Sequence, residues 1–224
     1  MQEKIIREIG ETILQTEYCS TCLHKQGIEC RKFNEKIIEK SLLEKNLCPR
    51  KIEICIKDDV EWIYKASQDN STRYVLGIKG KKTLICFGIN PSTALPGDLD
   101  NTLKAVSRIA EANGYDGWIM LNIYPQRATD PNDLDKLINN EVFSLNLTYI
   151  KEIFEIYKPK EVWAAWGNSI EKRKFLKGCF EQITEIIQAY NSNWITFGKC
   201  SRLGHPHHPL YLKTDSEKKF FSDT

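Results

Sequence analysis

Apolar and polar positions change period several times between residues 73 and 197, and each change marks an expected element. Residues 73–78 and 83–89 are apolar runs of strand length, joined by the four residues from Lys79 to Lys82, a link short enough for a hairpin. Over 102–113 the spacing becomes helical, with Leu103, Val106, Ile109 and Ala110 as one stripe and Gly114 as the stop. Strand-like 117–123, helical 133–157, strand-like 161–166, helical 170–180 and strand-like 194–197 follow. Strands separated by helices of this length need crossover connections, so the expected fold is α/β, three layers around a central, mostly parallel sheet. In such sheets ligands bind where the carboxyl ends of the strands meet their loops.

The first 70 residues follow another pattern. Ile5, Ile6, Ile9, Ile13 and Leu14, and then Phe33, Ile37, Ile38, Leu42 and Leu43, form two amphipathic stripes with cysteines between and after them. Gln68 to Thr72 is polar and turn-forming, a natural junction. The expected organisation is a small helical, Cys-rich module over 1–70 and an α/β domain over 71–224.

Composition narrows the function classes. The 32 Lys+Arg against 30 Asp+Glu leave a net charge of +2, which excludes a whole-protein basic field. At 41% hydrophobic and 28% charged residues the chain has the makeup of a globular protein. No apolar run approaches the ~20 residues of a membrane span, and the first ten residues lack an apolar signal core. A cytoplasmic location without a membrane partner is the expectation. Five of the eight cysteines fall within the first 55 residues, a cluster that suits a metal better than disulfides in a reducing compartment. Cys19, Cys22, Cys30 and Cys48, with spacers of 2, 7 and 17 residues, are the candidate ligands of a structural zinc or iron–sulfur cluster; Cys55 or His24 could replace one of them. Cys86, inside an apolar run, reads as a small buried hydrophobe.

Four expected strand ends carry unusual residues. The first leads into Gly88-Ile89-Asn90-Pro91-Ser92-Thr93-Ala94, and the second into Asn122-Ile123-Tyr124-Pro125-Gln126-Arg127. The third gives Trp166-Gly167-Asn168, and the fourth leads to Gly204-His205-Pro206-His207-His208-Pro209, which holds three of the four histidines. Each has a plain structural explanation: turn chemistry for the Asn-Pro-Ser segment, a helix cap for Asp100, a buried backbone partner for Asn122, core packing for Tyr124, a surface ion pair for Arg127. Their convergence on one rim is harder to explain that way. Lys79, Lys81, Lys82, Arg127, Lys199 and Arg202 are the basic residues expected near this rim as phosphate contacts.

Residues 73–212 resemble the domain-of-unknown-function family 1643 of bacteria, archaea and phages. The resemblance rests on Asn90 to Ala94, Asp100 with Thr102, Arg127 to Pro131, Ala164 to Gly167 and Gly204 to Tyr211. That family in turn is similar to the uracil-DNA glycosylase superfamily, in which a Gly-x-Asn-Pro motif and a late His-Pro motif flank a base pocket. The resemblance implies a DNA glycosylase-like hydrolase that cleaves the N-glycosidic bond of a flipped uracil or modified base in single- or double-stranded DNA. It implies a water-positioning role for Asn90 and an electrostatic role for Asp100 at the sugar cation. Either His205 or His208 would be the donor to the departing base. Gly88, Pro91, Ser92, Asn122, Tyr124, Arg127 and His207 would contact substrate. A non-catalytic nucleic-acid or nucleotide sensor, and a nucleoside or nucleotide hydrolase or base-transferase, are the alternatives. Some uracil-DNA glycosylases bind an iron–sulfur cluster through a similar early Cys-x-x-Cys, but with two ligands after the first motif. Here all four candidates precede it, so zinc and cluster both stay open.

Overall fold

A computed structural model of the chain describes residues 25–26, 29–30, 53–57 and 59–222. Strands β1 (Lys25–Gln26) and β2 (Glu29–Cys30) form a two-stranded antiparallel ladder. The main sheet contains β3 (Glu53–Lys57), β4 (Val60–Ala66), β5 (Arg73–Ile78), β6 (Thr83–Gly88), β7 (Gly117–Asn122), β8 (Glu161–Ala164), β9 (Asn193–Phe197) and β10 (Lys218–Phe220). Their spatial order is β10-β9-β8-β6-β7-β5-β4-β3. The helices are α1 (Asn101–Ala112), α2 (Asn140–Tyr157) and α3 (Phe175–Ala189).

The α/β architecture follows the period changes in the chain. Every residue of β7 is buried, as expected of a strand covered on both faces. Alternate residues feed opposite cores. Leu84, Cys86, Trp118, Met120 and Trp163 pack with Leu103, Val106 and Ile109 of α1. Ile85, Phe87, Ile119 and Leu121 pack with Ile150, Ile153 and Phe154 of α2 and Ile183 of α3. The result is helix, sheet, helix. Cys86 is fully buried, and burial pushes its thiol pKa well above the ordinary value, as suits a small core residue. None of the described helices is long and apolar enough to cross a membrane.

Four expectations need correction. The sheet is mixed rather than mostly parallel: β6·β7, β6·β8 and β8·β9 are parallel, whereas β3·β4, β4·β5, β5·β7 and β9·β10 are antiparallel. The segments 73–78 and 83–89 do not form a hairpin, because β7 lies between them. Strands are spaced by about 4.8 Å, so the four linking residues readily span the ~10 Å across β7. The step is anchored where Lys82 N donates to Asp116 Oδ1 at 2.6 Å and Asp116 N donates to Lys82 O at 3.1 Å. Close approach of β5 to β7 depends on glycine: a Cβ on Gly77 would sit 2.4 Å from Trp118 O.

The third correction concerns the junction at residue 70. Residues 53–57 and 60–66 are strands that continue the main sheet beyond β5, so that sheet begins before the expected boundary. The helical Cys-rich module otherwise lies outside the described residues. The fourth concerns helix limits. The 133–157 segment starts its α-helix only at Asn140, where the Asn139 side chain accepts from Glu141 N (3.1 Å) and Val142 N (3.2 Å). The 170–180 segment splits into a 3-10 turn, Gly167–Lys172, and α3, which runs on to Ala189 because Ile183, Ile186 and Ile187 continue the buried stripe.

Gly77→Ala should therefore destabilise the protein by about 1–3 kcal/mol, the usual range for overpacking. Urea denaturation of the variant beside the wild type measures this, and an unchanged midpoint would contradict the β5–β7 packing.

Candidate functional site

The loops that leave β6 and β8, the amino end of α1 and the segment before the 3-10 turn Pro209–Tyr211 surround a cleft of about 700 Å³. That volume is typical of sites for small organic ligands. Gly88, Asn90, Ser92, Asp100, His207 and His208 line it, so six of the residues picked out from sequence meet there. Pro91, Asn122, Tyr124, Arg127 and His205 do not line it.

Asn90 is half-buried, and its Nδ2 donates to Ala128 O at 2.7 Å and to Pro91 O at 3.0 Å. Both amide hydrogens are thus engaged, which leaves Oδ1 as an acceptor. Asp100 caps α1, with Oδ1 accepting from Leu103 N at 2.9 Å, so the capping role is real and coexists with a place on the cleft wall. His208 Nδ1 accepts from Leu210 N at 3.4 Å. An imidazole that accepts at Nδ1 carries its proton on Nε2, and the ring is a neutral donor. Burial holds the His208 pKa below the usual 6.5, while the Asp100 carboxylate pulls the other way. Gly167, at φ +63°, lets the end of β8 come close: a Cβ there would lie 3.2 Å from His208 Cβ.

His205 faces elsewhere. Its Nε2 lies 2.9 Å from Glu171 Oε1, and the other oxygen of Glu171 is 3.0 Å from Lys177 Nζ. Lys177 and then His205 hold the Glu171 carboxyl below its ordinary pKa. This cluster borders a separate cavity of about 130 Å³ beside Trp166 and Ile170. Of the two His-Pro pairs, only the imidazole of His208-Pro209 therefore meets Asn90 and Asp100 at the cleft.

Tyr124, expected from the resemblance to contact substrate, is instead a core residue. It is fully buried, its hydroxyl donates to Asp135 Oδ2 at 2.9 Å and accepts from Asn139 N at 3.0 Å, and its ring meets Phe175 edge-on. Burial raises its pKa to about 12. Arg127 stands behind the wall rather than on the surface: Nη1 donates to Ser92 O, and Nη2 donates to the Tyr64 hydroxyl at 3.0 Å. Asn122 is fully buried, and neither amide atom has a hydrogen-bond partner among the described residues, so it does not satisfy a neighbouring backbone group there. It pairs in register with Gly88, and a Cβ on Gly88 would lie 3.3 Å from Asn122 Oδ1. Its amide thus sits one layer beneath the cleft.

Lys79, Lys81 and Lys82 are also corrected. They precede β6, at the end of the sheet opposite Gly88, with Lys79 paired to Glu61 and Lys82 over the Tyr115 ring. Lys199 and Arg202 flank Ser201, which lines the cleft. Among the candidate metal ligands, Cys19, Cys22 and Cys48 lie outside the described residues, as does His24, and Cys30 is described only as a position in β2. Among the described residues, no cluster of three or more His, Cys, Asp or Glu side chains could hold a metal.

Sequence reasoning missed Arg73, Met120, Thr129 and Tyr211, all of which line the cleft. Arg73 had a signal: it is the one charge in the strand Arg73–Ile78, and it is 2% exposed. A charge buried in such a strand needs a reason.

Because the native pKa of His208 lies below the unfolded value, the unfolded chain takes the proton first as pH falls. The stability contributed by neutral His208 is complete above about pH 6.5 and is lost as pH drops toward its depressed native value. His208→Gln should melt with a shallower loss than the wild type between pH 7.5 and pH 5, the two pH values being about one unit or more either side of the imidazole range. Parallel slopes would contradict the buried neutral ring.

Comparison of the chain with curated proteins gives no match. The model of the family described as protein of unknown function (DUF1643) matches residues 73–210, from the buried arginine of β5 to the 3-10 turn after His208, and the chain belongs to that family.

Proposed function

We propose that the cleft belongs to a glycosylase-like hydrolase that takes a base extruded from DNA, uracil or a modified base, and hydrolyses its N-glycosidic bond. The observation that carries this reading is that Asn90, Asp100 and His208 line one cleft of about 700 Å³. Each offers the kind of group the reaction needs. Departure of the base leaves positive charge on the sugar and negative charge on the base, so the site must supply an acceptor for water, an anion near the sugar and a donor at the base.

Asn90 Oδ1, the atom its own hydrogen bonds leave over, accepts from the attacking water. The Asp100 carboxylate, held by Leu103 N, stabilises the sugar cation. The Nε2–H of His208 donates to an oxygen of the departing base, a role in which a neutral ring is sufficient. Water adds to the anomeric carbon, the C–N bond breaks with its electron pair going to the base, and the water proton leaves by way of solvent.

A panel of single- and double-stranded oligonucleotides carrying uracil, hypoxanthine and hypermodified pyrimidines, scored by alkali cleavage at abasic sites, tests the reaction. Base release is expected, with Asn90→Ala and His208→Ala each slower by about a hundredfold or more. Asp100→Asn keeps a capping oxygen and removes the charge, so it should slow release with little change in melting temperature. No abasic product from any substrate, or full rates in all three variants, would refute the assignment. For the amino-terminal cysteines we propose a structural metal, zinc or an iron–sulfur cluster. Elemental analysis with a visible spectrum of anaerobically purified protein should find one of the two in stoichiometric amount, and the absence of both would refute it.

A further inference from the structure

Arg73 has no role in the reaction proposed above, yet it is buried to 2% exposure on the wall of the same cleft. Its Nη1 donates to Ala94 O at 3.2 Å, and its Nε has no partner among the described residues. Arg127 approaches the same loop, donating to Ser92 O and, at 3.5 Å, to Ala94 O, and its Nε is likewise unpaired among the described residues. Among the described residues, no carboxylate lies within ion-pair distance of either guanidinium. Asp100 is the carboxylate that favours the charge on Arg73 from further away. Burial, reinforced by the like charge of Arg127, lowers the Arg73 pKa to about 10, the mark of a cation without a sufficient counter-charge. The Arg73 guanidinium, with Arg127 as a neighbouring like charge, is thus buried with only the more distant Asp100 carboxylate to balance it, where unbalanced charge is costly.

The amino end of α1 lies beside Arg73, with one of its N–H groups already met by the Asp100 carboxylate at the cap and those of the first turn left over. Asn101, Thr102 and Leu103 line the cleft at the first turn of a 12-residue helix with no acidic side chain in that turn, and the Asp100 side chain takes up the Leu103 N–H. The N-terminal N–H groups of a helix favour an anion. Ser92, Thr93, Thr102 and Thr129 add hydroxyl side chains to the cleft wall, with Ser92 Oγ donating to Thr129 Oγ1 at 3.4 Å.

We propose that Arg73 and the amino end of α1 form a phosphate subsite, so that the cleft recognises a phosphorylated nucleotide unit rather than a bare base or nucleoside. This rests on the glycosylase-like reading for the identity of the ligand's other half, but not on bond cleavage. The phosphoryl oxygens of a free mononucleotide and of a strand's backbone share this chemistry.

The test uses the full chain. Calorimetry and thermal shift are measured with inorganic phosphate, pyrophosphate, the four deoxynucleosides and deoxyuridine, their 5′-monophosphates, and an oligonucleotide lacking a terminal phosphate. On the wild type, at least one nucleotide should bind about tenfold or more tightly than its nucleoside, in line with a charge-assisted hydrogen bond, and inorganic phosphate should compete. Arg73→Gln should erase the difference and Arg73→Lys should keep part of it. Loss confined to the oligonucleotide assigns the subsite to a backbone phosphate, and loss for mononucleotides assigns it to a terminal one. Should Arg73→Gln fail to fold, the wild-type nucleotide-to-nucleoside ratio still decides. Equal affinity for every nucleoside and its nucleotide, with no binding of phosphate or oligonucleotide at millimolar concentration, would overturn the proposal. Base release without phosphate discrimination would sink this subsite alone. Phosphate discrimination without base release would sink only the reaction.

Discussion

β6 lies between β7 and β8 and pairs in parallel with both, and the position of the loops that carry Asn90 and Gly167 depends on that pairing. Parallel neighbours must end on the same edge of the sheet, so the chain leaves Gly88, Asn122 and Ala164 side by side. The Asn90 loop and the Gly167 turn reach the cleft for this reason. Arg73 arrives by the opposite route. β5 runs antiparallel to β7, so its first residue, rather than its last, lies at the cleft edge, where Arg73 N donates to Pro125 O at 2.9 Å.

Hydrogen bonds between the loops turn this edge into a wall. Asn90 Nδ2 ties the loop after β6 to Ala128, in the loop after β7. Arg127, from that second loop, returns the connection to Ser92 and reaches across to Tyr64 of β4. Arg173 adds a brace outside the cleft, donating from Nε to Leu134 O at 3.1 Å and to Asp135 O at 3.0 Å. Groups held this way keep their geometry before any ligand arrives, which is what electrostatic stabilisation of a transition state requires. The arrangement carries a cost in stability. Asn122 and Trp166 Nε1 are buried without partners among the described residues, and a polar group buried unpaired carries a desolvation cost.

The local pattern of residues was sufficient for the helix–sheet–helix layering, the helix over 101–112, and the meeting of Gly88, Asn90, Ser92, Asp100, His207 and His208 at one rim, because periodicity and strand-end loops are local signals. Pairing was not legible in the same way. A four-residue link looks identical whether it turns back on its neighbour or steps over β7, and only the glycine contacts at Gly77 and Gly117 show which occurred. Membership of residues 53–57 and 60–66 in the sheet was hidden for the same reason, since a strand's place in a sheet is set by its partners and not by its own composition.

Residue types and their order thus determined which chemical groups this protein can bring to the open edge of its sheet. The tertiary structure alone decided which of them face one another. It turned His205 toward Glu171 and left His208 beside the cleft, withdrew Tyr124 into the core, and placed Arg73 on the wall with no paired acid among the described residues. Side-chain direction and burial arise from contacts between segments far apart in the chain, and no window of sequence contains them.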